Sequence, residues 1–133
     1  MFIQRLINQG NAPLAEQVMR FTSARHKLLL ENIANASTPG YRNKDLDING
    51  FQQMLRDRVQ HRRDAAPGTV GFGDIRPSEF EPNGGLMFHD ENNRSMEQLV
   101  TDGAKNALMH NLVVELLRKQ FDSLKSALRE RIT

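Results

Sequence analysis

The sequence predicts a mainly α protein: two long terminal helices forming a coiled-coil-like pair, joined by a Gly/Pro-rich middle with one short helix and room for β-strands. Three observations carry this reading. Leu14 to Asn35 contains neither Gly nor Pro, and Ser95 to Arg131 contains no Pro and one Gly, Gly103. Residues 37–94, by contrast, hold seven of the nine Gly and four of the five Pro. Finally, apolar residues recur at three-, four- and seven-residue steps in the two terminal stretches, the period of helices that bury one face. The chain thus divides into a terminal helical domain, residues 1–36 with 95–133, and a connecting segment, residues 37–94.

The first helix is predicted over Leu14 to Asn35. Leu14, Val18, Phe21, Leu28 or Leu29, and Ile33 fall on one face. Pro13 suits its N-terminal boundary, where a missing N–H costs nothing. The helix stops at Asn35-Ala36-Ser37-Thr38-Pro39-Gly40-Tyr41. Pro39 biases Thr38 toward extended backbone, and Pro39-Gly40 suits the centre of a type II turn. Asn35 is expected as a left-handed C-cap.

A short helix follows, with Asn49 as its expected cap and Phe51, Met54, Leu55 and Val59 on one face. Short strands are expected near Thr69–Phe72 and Leu86–His89, between Pro and Gly punctuation. Charge is uneven in this segment. Leu55 to Asp64 has four Arg against two Asp, and Asp74 to Glu91 has five acids against one Arg. A solvated linker accounts for that pattern, as does a pair of complementary surfaces meeting neighbouring subunits.

The last helix is predicted over Ser95 to Arg131, with Ser95 and Gln98 as a capping box. Val100, Ala107, Val114, Phe121 and Leu128 are spaced by seven and all apolar, and Leu117 and Leu124 occupy a companion position. Gly103, His110 and Arg131 interrupt that companion row. A helix this long outruns its shorter partner, so part of the stripe is expected to meet another helix or another copy. The seven residues Val100, Ala107, Val114, Leu117, Phe121, Leu124 and Leu128 are the expected helix interface.

Composition narrows the function. The chain has 133 residues, 38% hydrophobic and 6% aromatic, with no Trp, which leaves little for a deep substrate pocket. A net charge of +2 argues against nucleic acid as the main partner. The basic cluster Arg56, Arg58, Arg62 and Arg63 has no interleaved aromatic and is diluted by Asp57 and Asp64. No Cys is present, which excludes disulfides and a thiolate nucleophile. His26, His61, His89 and His110 are scattered, and the helical ones lack a second ligand four residues on. Gly68, Gly71 and Gly73 lack the Lys-Ser/Thr of a phosphate loop. No catalytic constellation, metal, cofactor or small-molecule substrate is expected. The first residues, MFIQRLINQGNAP, do not form the apolar core of a cleavable secretion signal.

Glu31 to Asp47, ENIANASTPGYRNKDLD, is the most specific segment. Asn32, Ile33, Ala34, Asn35, Thr38, Pro39, Gly40 and Tyr41 resemble, without a gap, the N-terminal signature of the bacterial flagellar axial proteins of the rod and hook. Asp45-Leu46-Asp47, followed by Phe51 and Leu55, is similar to a proximal rod subunit. Asn92-Asn93, Met96 and Asn106-Ala107-Leu108 resemble the family's closing segment. His110 stands where the family often has Tyr, and Arg94-Ser95-Met96 replaces its usual Val-Asp-Leu.

This resemblance implies a structural subunit of the periplasmic rod in the flagellar basal body. Such a subunit would be exported by the flagellar type III apparatus without a cleavable signal, and would polymerise by helix packing. Its implied partners are other copies of itself, other rod proteins, the membrane-ring/rod adaptor and the export apparatus. A second proximal rod protein of similar size and a non-flagellar helical adaptor are the competing readings. The motif residues 32–35 and 38–41 are expected to act as a structural joint at a subunit contact, with Tyr41 docking on a neighbour.

Overall fold

The computed structural model describes residues 10–82 and 92–132. Helix α1 spans Ala12–Ala34, strand β1 Asp45–Leu46, helix α2 Ile48–Asp64, strand β2 Glu79–Phe80 and helix α3 Asn92–Ile132. The architecture is mainly helical, with long terminal helices packed on each other. The short antiparallel strand pair lies in the middle, with Asp45 opposite Phe80 and Leu46 opposite Glu79.

Local chemistry sets the boundaries. Pro13 lies in the first turn of α1, as its missing N–H allows. The cap of α2 is Asp47, two residues before the expected Asn49; its carboxylate accepts the Gly50 N–H at 3.0 Å. Asp47 precedes the helix in extended backbone, the geometry an N-cap needs, while Asn49 is already helical. His61, Arg62 and Arg63 in the last turn of α2 suit the negative end of its dipole. Helix α3 starts at Asn92, so Ser95 lies inside it rather than capping it.

The expected strand at Thr69–Phe72 is absent. Val70, Phe72 and Ile75 are instead buried side chains of an irregular strap, and Phe72 and Ile75 join the core with the helices. The expected strand at Leu86–His89 lies outside the described residues.

The core gathers Phe21 of α1, Leu46 of β1, Phe51 of α2, and Phe72 and Ile75 of the strap. The Phe21 and Phe51 rings stack with centroids 4.2 Å apart. Leu14, Val18, Leu28, Met54, Leu55 and Val59 pack around it, which accounts for most of the apolar face expected for α1 and all of that expected for α2. Residues 66–80 are therefore no solvated linker. One ion pair, Arg58–Asp74, joins the basic stretch to the acidic one. Arg58 makes a two-pronged bond to Asp74 (2.5 and 2.9 Å), and Arg42 lies 3.5 Å from Glu81.

Helices α1 and α3 run antiparallel. Thr22 of α1 meets Asn106 and His110, and Arg25, one turn later, feels the charge of Asp102, one turn earlier on α3. At about 1.5 Å per residue, α1 is roughly 35 Å long and α3 roughly 61 Å. Counting back along α1 from Thr22 brings its start level with a point near Arg118. The remainder of α3 runs about 20 Å beyond it.

Candidate functional site

The motif at the end of α1 is organised around Asn32, 1% exposed. Its side-chain amide donates to the Lys44 carbonyl at 2.7 Å and accepts the Lys44 N–H at 3.1 Å. One side chain thus satisfies both backbone groups of one residue, as a neighbouring strand would. The Tyr41 hydroxyl also donates to Asn32 Oδ1, at 3.4 Å. The chain leaving α1 is thereby folded back and fixed beside it, at the entrance to β1.

The other motif residues shape the loop. Asn35 is not a left-handed cap: its φ is −100° and ψ 10°. It closes the helix instead with two donors to the Glu31 carbonyl, its backbone N–H at 3.0 Å and its side-chain amide at 2.8 Å. A left-handed residue is not needed when a side chain reaches back four residues to an end carbonyl. The Thr38 N–H donates to the Asn35 carbonyl at 2.9 Å, and its hydroxyl donates to Asn35 Oδ1 at 3.2 Å. Tyr41 N–H then bonds the Thr38 carbonyl at 3.3 Å across Pro39-Gly40. Gly40 has φ +77°, the positive angle the third position of a type II turn demands. Ile33 and Tyr41 are half-buried, while Ala34, Thr38, Pro39 and Gly40 are exposed.

A buried ion pair supports the joint from inside. Arg25 donates from Nε and Nη2 to the two oxygens of Asp45, at 2.9 and 3.0 Å. Both side chains are largely withdrawn from water. The Asp45 hydrogen bond raises the Arg25 pKa against the opposing effect of burial, with the Asp45 and Asp102 charges adding to it. Sequence periodicity missed Arg25 and Asp45 because a lone Arg on a helix reads as solvated. Their signal was the spacing of Asp45 just beyond a motif that reverses the chain.

The α1–α3 seam uses polar residues as well. Asn106, 4% exposed, donates to the Thr22 carbonyl at 2.7 Å. The Thr22 hydroxyl lies 2.8 Å from His110 Nδ1 and donates to the Met19 carbonyl at 2.9 Å. A hydroxyl has one proton, so His110 Nδ1–H is the donor of the Thr22–His110 bond.

The expected α3 interface residues divide. Val100, Ala107, Phe121 and Leu128 are exposed, and Val114, Leu117 and Leu124 half-buried. The buried row lies one position earlier, at Leu99, Asn106 and Val113. A strict seven-residue repeat drifts about 20° per heptad on a straight helix. The row that begins on the flank at Val100 has therefore turned onto the α1-facing side by Phe121 and Leu128. There it has passed the start of α1, and Phe121 stays 50% exposed. Gln120, at the same level, has a buried Oε1 with no partner among the described residues.

A shallow cleft of about 430 Å³ lies between α2 and the strap, lined by Met54, Asp57, Arg58, His61, Asp74, Ile75 and Arg76. Of its charged side chains, Arg58 and Asp74 pair with each other. Among the described residues no three His, Asp or Glu gather as metal ligands. Among them, too, no helix is long and apolar enough to cross a membrane.

No protein-family model matches the chain. Curated relatives do. The chain is 26% identical over 118 residues to the flagellar basal body rod protein FlgB of Aquifex aeolicus, covering 89% of this chain and 92% of the relative. It is 27% identical to FlgB of Bacillus subtilis, covering 90% and 93%. It is 26% identical to FlgB of Escherichia coli, covering 86% and 89%.

Proposed function

We propose, on the premise that the chain belongs to the FlgB family of flagellar basal body rod proteins, that it is a structural subunit of the proximal rod which assembles by helix packing. The alternative rod protein FlgC is not favoured, since the relatives that match along the chain bear the FlgB name. The role is structural rather than catalytic. Its place is the flagellar basal body, reached through the flagellar type III export apparatus. Its neighbours are further copies, other rod proteins and the adaptor to the membrane ring. The shaft they form transmits torque between that ring and the distal rod.

The observation that carries the assembly part is the α3 stripe continuing past the start of α1. Leu117, Phe121, Leu124 and Leu128 lie on the side that α1 covers further back, and Phe121 and Leu128 are exposed. The joint at Asn32 to Tyr41 supports the same reading. Its hydrogen bonds fix the reversal of the chain beside α1.

The test is incorporation into purified basal bodies in cells that carry the chain as their sole copy. Wild type is expected in the basal body, and Phe121→Asp is expected to be exported but absent from it. A carboxylate in an apolar helix interface costs several kcal/mol, about 3 or more. Normal motility with Phe121→Asp would overturn assembly through this stripe. Tyr41→Ala tests docking at the joint: loss of incorporation with an unchanged urea midpoint is expected if Tyr41 docks on a neighbour, and full incorporation would confine Tyr41 to its bond with Asn32 inside the chain.

A further inference from the structure

We propose that the end of α3 is a docking surface for an amphipathic helix of another protein, one whose apolar stripe is edged by Asp and Glu. The proposal rests on the rod-subunit reading and names the chemistry of one partner. Leu117, Phe121, Leu124 and Leu128 recur at three- and four-residue steps and form one stripe. Arg118, Lys125 and Arg129, seven and four residues apart, line one edge of it.

Arg118 leans on Glu115, one turn back, at 3.3 Å with both side chains exposed. Lys125 and Arg129 form no ion pair among the described residues. Residues 117–132 carry five cations and two acids, a net +3, against +2 for the whole chain. The rest of the molecule is thus slightly acidic, and the excess positive charge sits on the segment that α1 leaves uncovered.

Charge decides among the possible occupants. The same face of a second copy would bring the same cations, and like charges across a helix pair repel. The first nine residues of the chain, MFIQRLINQ, contain Arg5 and no acid; the first acid of the sequence is Glu16. Neither answers the cationic edge. A helix carrying carboxylates beside its apolar stripe does, since complementary charge speeds encounter and sets orientation while the apolar stripe holds the complex.

The full chain is titrated with two synthetic helical peptides that share one Leu stripe, one edged by Glu and the other by Lys, and binding is read by fluorescence anisotropy. The Glu peptide is expected to bind about tenfold tighter or better, with the difference shrinking as NaCl is raised. The triple variant Arg118→Gln, Lys125→Gln, Arg129→Gln changes only exposed side chains. It is expected to keep the wild-type urea midpoint and lose the preference.

Equal binding of the two peptides, or a preference that survives the triple variant, overturns the proposal. So does a tenfold gain in Glu-peptide affinity on deleting residues 1–9, which would make that segment the occupant. A concentration-dependent dimer abolished by Phe121→Asp would make it a second copy. Basal bodies separate this inference from the reading beneath it. Wild-type incorporation of the triple variant would sink the acidic partner and leave the rod subunit standing. Absence of the wild-type chain from basal bodies would sink the rod subunit while the peptide preference stood.

Discussion

Helix α1 is gripped on two sides by different chemistry. Toward the middle segment it offers Phe21, stacked on Phe51 and packed with Leu46, Phe72 and Ile75. Toward α3 it offers Thr22, whose carbonyl and hydroxyl meet Asn106 and His110. Apolar packing is strong but tolerant of small slips, because any side chain of similar volume will fill the space. A buried amide is satisfied in one register only, as polar residues in coiled-coil seams show. The aromatic side therefore supplies most of the stability, and the polar side fixes where α3 sits along α1.

The contrast can be broken most severely at the aromatic side. Phe72→Ala should cost about 3–5 kcal/mol, read as a fall in the urea midpoint, through a cavity beneath the strap. A loss near that of a surface substitution would mean the strap contributes little. Next comes the ion pair. Asp45→Ala strands the buried Arg25 guanidinium and should cost about 3 kcal/mol. The double variant with Arg25→Met should recover much of that loss, because it removes the unpaired charge as well.

Asn32→Ala leaves the Lys44 N–H and carbonyl unanswered and should cost about 2 kcal/mol. Fast amide exchange at Lys44 is its specific signature. Asn106→Ala should cost only about 1 kcal/mol. Its sharper effect falls on register: spin labels on Lys27 and Lys105 should report one distance in the wild type and a spread in the variant.

The smallest effect concerns Asp74, whose pKa Arg58 lowers from the ordinary 3.8 to about 2, through its hydrogen bond first. A depressed carboxyl contributes stability that is fully present above its unfolded value and is lost as pH falls through its folded one. The gap between wild type and Asp74→Asn should therefore be constant above about pH 4 and close toward pH 2. Because this carboxylate is exposed, the gap is small throughout.

The long elements were legible because their signals are redundant. Apolar period, Pro13, and the Thr38-Pro39-Gly40 stop all describe one helix, α1. The turn at Gly40 was legible too, since few residues other than Gly take a φ of +77°. The strands were not, because two residues carry no alternation to read. The buried row of α3 was hidden by its own composition. Leu99, Asn106, Val113 and Gln120 alternate apolar with polar, while the row one residue later, from Val100 to Leu128, is apolar throughout and gives the stronger pattern. Thr22, Arg25 and Asn32 are buried on α1 with hydrogen-bond partners for their side chains, which hydrophobic periodicity does not register.

The Asn32 clamp has a mechanical side. A pull that draws β1 away from α1 loads the two Asn32–Lys44 bonds and the two Arg25–Asp45 bonds together, because all four start from the same rigid helix and end on adjacent residues. Bonds loaded in parallel share the force and must rupture at once, whereas bonds loaded in series peel one after another. The reversal after α1 is thus held by four bonds that share one load. Such a joint resists repeated loading better than a loop held by its own backbone alone.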